Sequence, residues 1–269
     1  MVRRADTALL LRRFPFGESS LVVHAATRSH GSVHLLAKGA YRPTSRYYAA
    51  LDLFDTLELE WQESPGRELS NLVAATIGVR RHRLAHDLER YKASLSVLEL
   101  ADLGSQEGPA NIELFELASR ALDQLLSPCP AELTLVEFEL AFLHNLGLAP
   151  ALLECAACAG PAPAAVAGGS PRVAFSAQGG GRLCLRCAGE ARAHGRRVGT
   201  LPESVLLHAA RLTGSPAIQP NPNTAKEARL DTRSLTLVHD AVARFLEHQL
   251  QGRPKSYRTF LAGPQRNTP

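Results

Sequence analysis

Two Cys-x-x-Cys pairs constrain the fold more than any other feature of this 269-residue sequence. The first pair is Cys155 and Cys158, and the second is Cys184 and Cys187, with twenty-five residues between the pairs. This spacing is typical of a tetrahedral zinc site in which each pair supplies two thiolates to one ion. Disulfides or unrelated buried thiols are the alternative, and we favour them less because nothing in the sequence looks secreted.

Length and composition are those of a cytoplasmic globular protein. The hydrophobic fraction of 45% is ordinary for a soluble chain, and the length allows two domains. Near the N-terminus the apolar run 8–11 ends at Arg12 and Arg13, too early for the core of a signal peptide. We therefore expect a cytoplasmic location and no contact with a membrane.

Charge is distributed unevenly along the chain. Residues 1–85 hold 12 Lys and Arg against 8 Asp and Glu, residues 86–154 hold 3 against 12, and residues 155–269 hold 15 against 6. The two ends are therefore basic and the middle is acidic. Basic surfaces at both ends could bind a polyanion, although solvated helix faces without a partner explain the charges equally well.

The first eighty residues predict a small β-barrel. Apolar runs at 5–14, 21–27, 33–37, 51–61 and 68–77 are separated by turn residues such as Gly17, Gly31 and Ser64-Pro-Gly66. The fourth run alternates apolar and polar residues, which indicates a strand with one buried face. Five short strands of this kind fit a barrel of the oligonucleotide-binding (OB) type.

A basic and aromatic loop lies between the third and fourth predicted strands. Its cations and rings are Lys38, Tyr41, Arg42, Arg46, Tyr47 and Tyr48. Cations neutralise phosphates and rings stack on bases, so this composition suits a single-stranded nucleic acid. For Tyr47 and Tyr48, packing against the barrel is the alternative, and for the cations it is an ordinary solvated loop. Arg12 and Arg13 could extend the same surface.

Helical periodicity begins after residue 78. Arg80, Arg81 and Arg83 cluster where the barrel meets the first helix and could extend a phosphate track, or could be solvated. Leu84, Leu88, Tyr91, Leu95 and Leu98 recur at helical spacing and predict one buried helix face. Further helices are predicted near 112–125, 133–148, 201–212 and 234–250, and a short strand at 172–176 lies between the cysteine pairs.

Three segments together resemble the bacterial RecO family of recombinational repair proteins. They are the runs 11–20 (LRRFPFGESS), 35–46 (LLAKGAYRPTSR) and 252–261 (GRPKSYRTFL), and their order and spacing agree over nearly the whole chain. The resemblance implies an N-terminal OB barrel, a helical domain and, in many members, a four-cysteine zinc motif. It also implies strand annealing, displacement of single-strand binding protein, and recombinase loading together with a RecR partner.

The combined prediction is an α+β protein with a five-stranded OB-fold barrel in residues 1–80. A helical domain in 81–269 carries a zinc-ribbon-like insert at 151–200. The expected function is that of a DNA repair and recombination mediator that binds single- and double-stranded DNA near the nucleoid. The alternative is a zinc-stapled adaptor that recruits proteins and contacts DNA weakly.

Catalysis is not expected. The sequence has no phosphate-binding loop of the G-x-x-x-x-G-K type and no H-x-E segment of the kind that zinc deaminases require. No pair of carboxylates is placed as an acid and base, and no small-molecule substrate is indicated. A closed tetrathiolate site would also leave no coordination position for water.

Overall fold

The computed structural model describes residues 2–42, 44, 45, 47, 50–63, 69–105, 109–167, 170–214, 232–252 and 254–257. The chain divides into two compact units, Met1–Ala131 and Glu132–Pro269. The predicted domain boundary between residues 80 and 81 falls inside the first unit, and it stays a prediction. In the described part of the chain, no helix is both long and apolar enough to cross a membrane.

The first unit begins with five strands that close into a barrel. They are β1 (Val2–Phe16), β2 (Ser20–Thr27), β3 (Gly31–Ala37), β4 (Thr56–Glu63) and β5 (Leu69–Val79). Around the barrel the order is β1-β2-β3-β5-β4, and β1 also pairs with β4. The β3–β5 pairing is parallel and the others are antiparallel. This arrangement confirms the predicted OB-type fold.

The barrel interior is filled by the alternating apolar residues of its strands. In β4, Leu57, Leu59 and Trp61 are fully buried, as the period of two predicted. The strand itself begins at Thr56 rather than at residue 51. Before it, Phe54 has a left-handed φ of 76°, a conformation that costs a bulky residue about 1–3 kcal/mol and requires support from its surroundings.

Three helical segments complete the first unit. A 3₁₀ helix (His82–His86) precedes α1 (Leu88–Gly104), and α2 (Ile112–Gln124) follows. The Asp87 side chain caps α1 by accepting a hydrogen bond from the Arg90 backbone N–H. The predicted buried face is confirmed at Leu84 and Leu98 but wrong at Leu88 and Tyr91, which are exposed. The buried face of α1 also includes Val97 and Ala101.

The second unit combines helices with a small sheet. Its helices are α3 (Ala131–Asn145), α4 (Leu185–Ala193), α5 (Glu203–Leu212) and α6 (Thr232–Gln249). Its strands are β6 (Ala165–Ala167), β7 (Ser170–Ser176), β8 (Gly181–Leu183) and β9 (Gly199–Pro202). Strand β7 pairs antiparallel with the other three. This sheet carries the region between and after the two cysteine pairs.

A buried ionic cluster lies between α3, α6 and the segment after α6. His239 of α6 is buried, with ring nitrogens 3.5 Å from Glu132 and 3.4 Å from Glu139. The buried Tyr257 hydroxyl donates to Glu139 at 2.5 Å. Burial alone would lower the pKa of His239, but Glu139 and Glu132 together outweigh burial and raise this pKa to about 10. The contact gives Tyr257, which lies in the third RecO-like segment, a structural role.

Candidate metal centre and nucleic-acid interface

The first cysteine pair lies on a tight turn. The Cys155 N–H donates to the Gly160 carbonyl at 2.9 Å, and the Ala159 N–H donates back to the Cys155 carbonyl at 2.8 Å. Ala159 closes the turn with a left-handed φ of 53°. The turn places Cys155 in the interior and leaves Cys158 exposed. Two thiols from one short loop therefore converge on the same point.

The second pair comes from the start of α4. Cys184 is the residue before the helix and Cys187 lies in its first turn, so the helix itself sets their spacing. Gly181, just upstream, has a φ of +134°, and a side chain there would sit 2.4 Å from the Ala151 carbonyl oxygen. The glycine permits the backbone contact that brings the segment before the first pair against β8.

The four cysteine Sγ atoms form one compact cluster. All lie within 4.8 Å of one another, and those of Cys158 and Cys184 are 4.0 Å apart. A tetrahedral ion with Zn–S bonds of about 2.3 Å requires an S···S edge of about 3.8 Å. All four thiols are free, so the disulfide alternative does not hold here. The donors and their spacing fit a metal ion, as the sequence predicted.

Two thiols of the cluster, Cys155 and Cys187, have pKa values shifted in opposite directions. Burial raises the pKa of Cys155, but backbone hydrogen bonds from Cys184, Ala157 and Cys158 outweigh it and lower the pKa to about 6. Hydrogen bonding to Cys184 and then burial raise the pKa of Cys187 to about 12. Backbone N–H groups thus stabilise negative charge on Cys155, which is the form in which a thiol binds a metal.

Arg182 stabilises the fold around the cysteines. It is buried, and its guanidinium donates to the Ala162 carbonyl at 2.8 Å and to Glu203 at 2.6 Å. By contrast, Arg192, Arg196 and Arg197 are exposed. Of these four arginines near the cysteine cluster, one is internal and three lie on the surface.

The loop after β3 exposes three of the predicted nucleic-acid contacts. Lys38 and Arg42 are exposed, and the Tyr41 side chain is 51% exposed. The Tyr41 N–H donates to the Ser19 carbonyl at 3.0 Å, and the Gly39 N–H donates to the Ser20 hydroxyl at 3.3 Å. These bonds hold the loop against the β1–β2 turn. Arg46 and Tyr48 lie outside the described residues.

Tyr47 belongs to the barrel core instead. Its side chain is only 7% exposed, and its hydroxyl donates to the Leu72 and Val73 carbonyls at 2.9 and 3.2 Å. A ring held in this way cannot stack on a base without leaving the core. Of the two interpretations that the sequence allowed for Tyr47, packing is the correct one.

Arg81 is also internal, which corrects its assignment to a phosphate track. The side chain is 1% exposed and donates to Asp123 at 2.6 Å, the Phe54 carbonyl at 2.9 Å and the Thr56 hydroxyl at 2.8 Å. The contact to the Phe54 carbonyl supports the left-handed backbone at that residue. Arg81 therefore joins the start of β4 to α2.

The other predicted arginines divide between internal contacts and solvent. Arg12 forms an ion pair with the buried carboxylate of Asp102, and Arg13 donates to the Leu51 carbonyl at 2.9 Å. Arg80 is half-exposed, 3.8 Å from Asp55. Arg83 is exposed on the 3₁₀ helix. Arg83 is thus the member of the hinge cluster that is most available to a phosphate.

Comparison with known proteins now decides the family. A family model for the N-terminal part of recombination protein O matches residues 1–78, and one for the C-terminal part matches residues 85–258. The chain is 33% identical to the DNA repair protein RecO of Anaeromyxobacter dehalogenans strain 2CP-1 over 262 residues, 97% of this chain and 96% of that protein. The DNA repair protein RecO of Anaeromyxobacter sp. strain K is 33% identical over 256 residues, 95% and 94% of the two chains. The chain belongs to the RecO family.

Membership in the RecO family confirms the resemblance noted in the sequence. It makes this chain a DNA repair and recombination protein, a mediator class rather than a known class of enzyme. The barrel, except for its last residue Val79, falls within the N-terminal RecO match, and the four cysteines fall within the C-terminal match.

One polar cluster of this RecO chain was not predicted. His24 is buried in β2; its Nδ1 lies 2.9 Å from Asp102 of α1, and its Nε2 lies 2.5 Å from the Ser32 hydroxyl. Burial raises the pKa of Asp102, but hydrogen bonding to His24 and the charges of His24 and Arg12 outweigh it, so the net pKa is lowered. The one sequence signal that could have indicated burial of His24 is its position in an apolar run, between Val23 and Ala25. The cluster attaches α1 to the outside of the barrel.

Proposed function

We propose that this RecO family member binds single- and double-stranded DNA, anneals complementary strands, and assists recombinase loading onto strands covered by single-strand binding protein. RecR and single-strand binding protein are the protein partners in this proposal, and the site of action is the cytoplasmic nucleoid. The observation that carries the proposal is the exposed group of Lys38, Tyr41 and Arg42 beside the β1–β2 turn.

The chemistry of this group suits a single strand. Lys38 and Arg42 can each neutralise a phosphate and release condensed counterions, and the half-exposed ring of Tyr41 can stack on a base of any identity. Neither a phosphate contact nor ring stacking depends on the identity of the base. A binding mode without sequence preference follows, as annealing of arbitrary sequences requires.

Annealing also needs a second nucleic-acid surface. Arg192, Arg196 and Arg197 are exposed in the second unit, and Arg83 is exposed in the first. Binding two strands to one protein converts their encounter into an effectively intramolecular step, which lowers its entropic cost. The protein would accelerate pairing in this way without breaking or forming a covalent bond.

We assign a structural role to one zinc ion held by Cys155, Cys158, Cys184 and Cys187. Four thiolates complete the tetrahedron of such an ion, so no position is left to activate water or polarise a substrate. The ion would fix the turn before Gly160 to the start of α4. The proposed function is accordingly binding and not catalysis.

The salt dependence of DNA binding tests the loop. Replacing Lys38, Arg42 and Arg46 with alanine should reduce the slope of log K against log salt by about one unit for each lost contact. Arg3→Ala is a matched control, because Arg3 is an exposed arginine of β1 that already forms an ion pair with Glu60. An unchanged slope in the triple variant would remove the loop from the proposal.

Strand annealing tests the function as a whole. Complementary oligonucleotides should pair faster with the protein than without it, and the acceleration should persist when the strands carry their single-strand binding protein and RecR is present. The adaptor alternative predicts negligible binding of bare oligonucleotides at physiological salt. Metal-dependent cleavage of labelled strands would instead indicate a DNA-processing enzyme.

A further inference from the structure

The end of β1 extends beyond the closed part of the barrel. Strand β4 pairs with β1 only from Val2 to Leu9, whereas β2 pairs with β1 as far as Phe16. Among the described strands, the last residues of β1 therefore pair with β2 alone and form an edge. On this edge the side chains of Phe14 and Phe16 are 50% and 54% exposed. Two half-exposed rings on a short edge need an explanation, since single exposed apolar residues are common but clustered ones usually mark a binding surface.

The two rings share the outer face of the sheet. Side chains alternate along a strand, so Phe14 and Phe16 point to the same side, about 6.8 Å apart along the strand. Phe14 is paired with Val22 and Val22 with Leu36, and both of these residues are half-buried. An apolar row thus crosses three strands and ends at the exposed ring of Phe14.

Basic residues adjoin this row. Phe16 is paired with Ser20, and the Ser20 hydroxyl accepts from the Gly39 N–H at 3.3 Å. Exposed Lys38 lies immediately before Gly39, so it is about two strand spacings, roughly 10 Å, from Phe16. Arg42 and Tyr41 continue the same loop. Exposed rings flanked by cations are what a single-stranded nucleic acid requires.

We propose that Phe14 and Phe16 form a base-stacking platform for single-stranded DNA on the outer face of β1. This inference rests on the proposed function and adds two binding residues to the loop cations. The spacing of the two rings is about twice the 3.4 Å rise of stacked nucleotides, which leaves room for one base between them.

A second protein strand suits this edge less well than DNA does. Pro15 lies between the two rings and lacks a backbone N–H, so the edge cannot present a complete row of donors to a pairing strand. The exposed cations at 38 and 42 also favour a polyanion over another copy of a basic chain.

Fluorescence anisotropy with two probes of equal length tests the platform in the full-length, zinc-loaded protein. One probe is oligo-dT and the other is an abasic strand with the same phosphates. Phe14→Ala and Phe16→Ala should each weaken oligo-dT binding about tenfold, leave binding of the abasic strand unchanged, and leave the salt slope unchanged. Phe14→Trp and Phe16→Trp should instead bind oligo-dT with an affinity close to wild type, because tryptophan also stacks on bases. The fluorescence emission of the introduced tryptophan should change when oligo-dT binds.

Val2→Ala is the matched control, because Val2 is another half-exposed apolar residue of β1 at the opposite end of the strand. Thermal unfolding of each variant checks that the barrel stays folded. Equal losses on the abasic and oligo-dT probes, or no loss on either, would overturn the platform. The platform would also be overturned if the Phe14 or Phe16 variants bound DNA normally but differed from wild type in self-association, measured by sedimentation. That result would assign the surface to contact with a second copy of the chain. If the wild-type protein itself fails to bind oligo-dT, the proposed function fails as well.

Discussion

The cysteine cluster and the loop after β3 place their polar groups in opposite environments. Each thiol has protein neighbours within 4.8 Å, and two of the four are buried. In the loop, Lys38, Tyr41 and Arg42 extend into solvent, and it is their backbone that is attached to the protein. A polar side chain whose contacts are made within the protein stabilises the fold, whereas an exposed polar side chain is available to a ligand.

The arginines show the same difference over a few residues. Arg81 and Arg83 belong to one basic run, yet the first is enclosed by Phe54, Thr56 and Asp123 and the second is in solvent. Both were assigned to phosphate binding from the sequence. Charge alone therefore does not distinguish a structural arginine from one that is available to bind DNA. The distinction depends on whether the guanidinium has hydrogen-bond partners within the protein.

Removing the metal ligands should produce the largest effect. Serine at Cys155, Cys158, Cys184 and Cys187 abolishes a centre whose binding free energy reaches about 10–16 kcal/mol in zinc-finger peptides. We expect loss of bound zinc, a lower unfolding temperature and poor solubility, with oligo-dT affinity of the soluble fraction close to wild type. Zinc content, thermal unfolding and anisotropy measure the three quantities.

Cys129→Ser is the control for the quadruple variant, since Cys129 is exposed and lies outside the cluster. It should retain both zinc and stability. A quadruple variant that stays fully stable but no longer binds DNA would reverse the contrast and make the metal centre part of the binding surface.

Arg81→Ala should give the next largest effect. Truncation leaves the Phe54 carbonyl and the Thr56 hydroxyl without their donor and removes support from a strained backbone, so we expect a loss of about 3–5 kcal/mol in unfolding free energy. Arg83→Ala should change stability by less than about 0.5 kcal/mol but reduce the salt slope of DNA binding by about one unit. Urea unfolding and salt titration separate the two. Similar stabilities for the two variants would contradict the internal role of Arg81.

Much of the barrel could be predicted because its signals are local. Alternation in β4, the turns at Gly17 and Gly31, and the short β-rich runs identify all five strands, with ends that shift by a few residues. The cysteine cluster was equally predictable, since the spacing of the thiols along the chain is characteristic of a four-thiol metal-binding motif. Both features depend on residues close together in sequence or on a single recognisable chemistry.

Side-chain burial was harder to predict because it depends on long-range partners. Tyr47 contacts carbonyls of β5, and His24 contacts Asp102 of α1, so no sequence window contains both members of either pair. The exposed rings of Phe14 and Phe16 were missed for the related reason that β4 ends its pairing at Leu9. An apolar residue in a strand is expected in the core unless the neighbouring strand is known to stop.

Stability should depend on pH through His239, while DNA binding by the loop should not. The pKa of His239 rises from 6.5 to about 10 on folding, so the folded protein retains a proton that the unfolded chain releases. Its stabilising contribution is complete below about pH 6.5 and is lost as the pH rises through about 10. Between pH 7 and 9 the unfolding free energy should fall by roughly 1.4 kcal/mol per pH unit from this group.

Urea unfolding at pH 7, 8 and 9 measures this slope, and His239→Gln provides the comparison. The variant should be less stable at pH 7 and should show a flatter pH dependence, because its side chain does not titrate. Parallel slopes for the variant and the wild type would show that the ionic cluster of Glu132, Glu139 and His239 does not carry the proton.

The smallest expected effect sharpens the contrast within one loop. Tyr47→Phe removes a hydroxyl that donates to the Leu72 and Val73 carbonyls, so it should cost about 1 kcal/mol of stability and leave oligo-dT affinity unchanged. Tyr41→Ala should do the reverse: it should weaken oligo-dT binding several-fold without a measurable change in stability. The half-exposed Tyr41 ring buries little surface in the folded protein, so its removal costs little unfolding free energy. The pair is informative because both residues are tyrosines six positions apart in the same loop. If Tyr47→Phe weakened DNA binding as much as Tyr41→Ala did, burial in the free protein would not separate structural from binding residues, and the loop would have to rearrange when DNA binds.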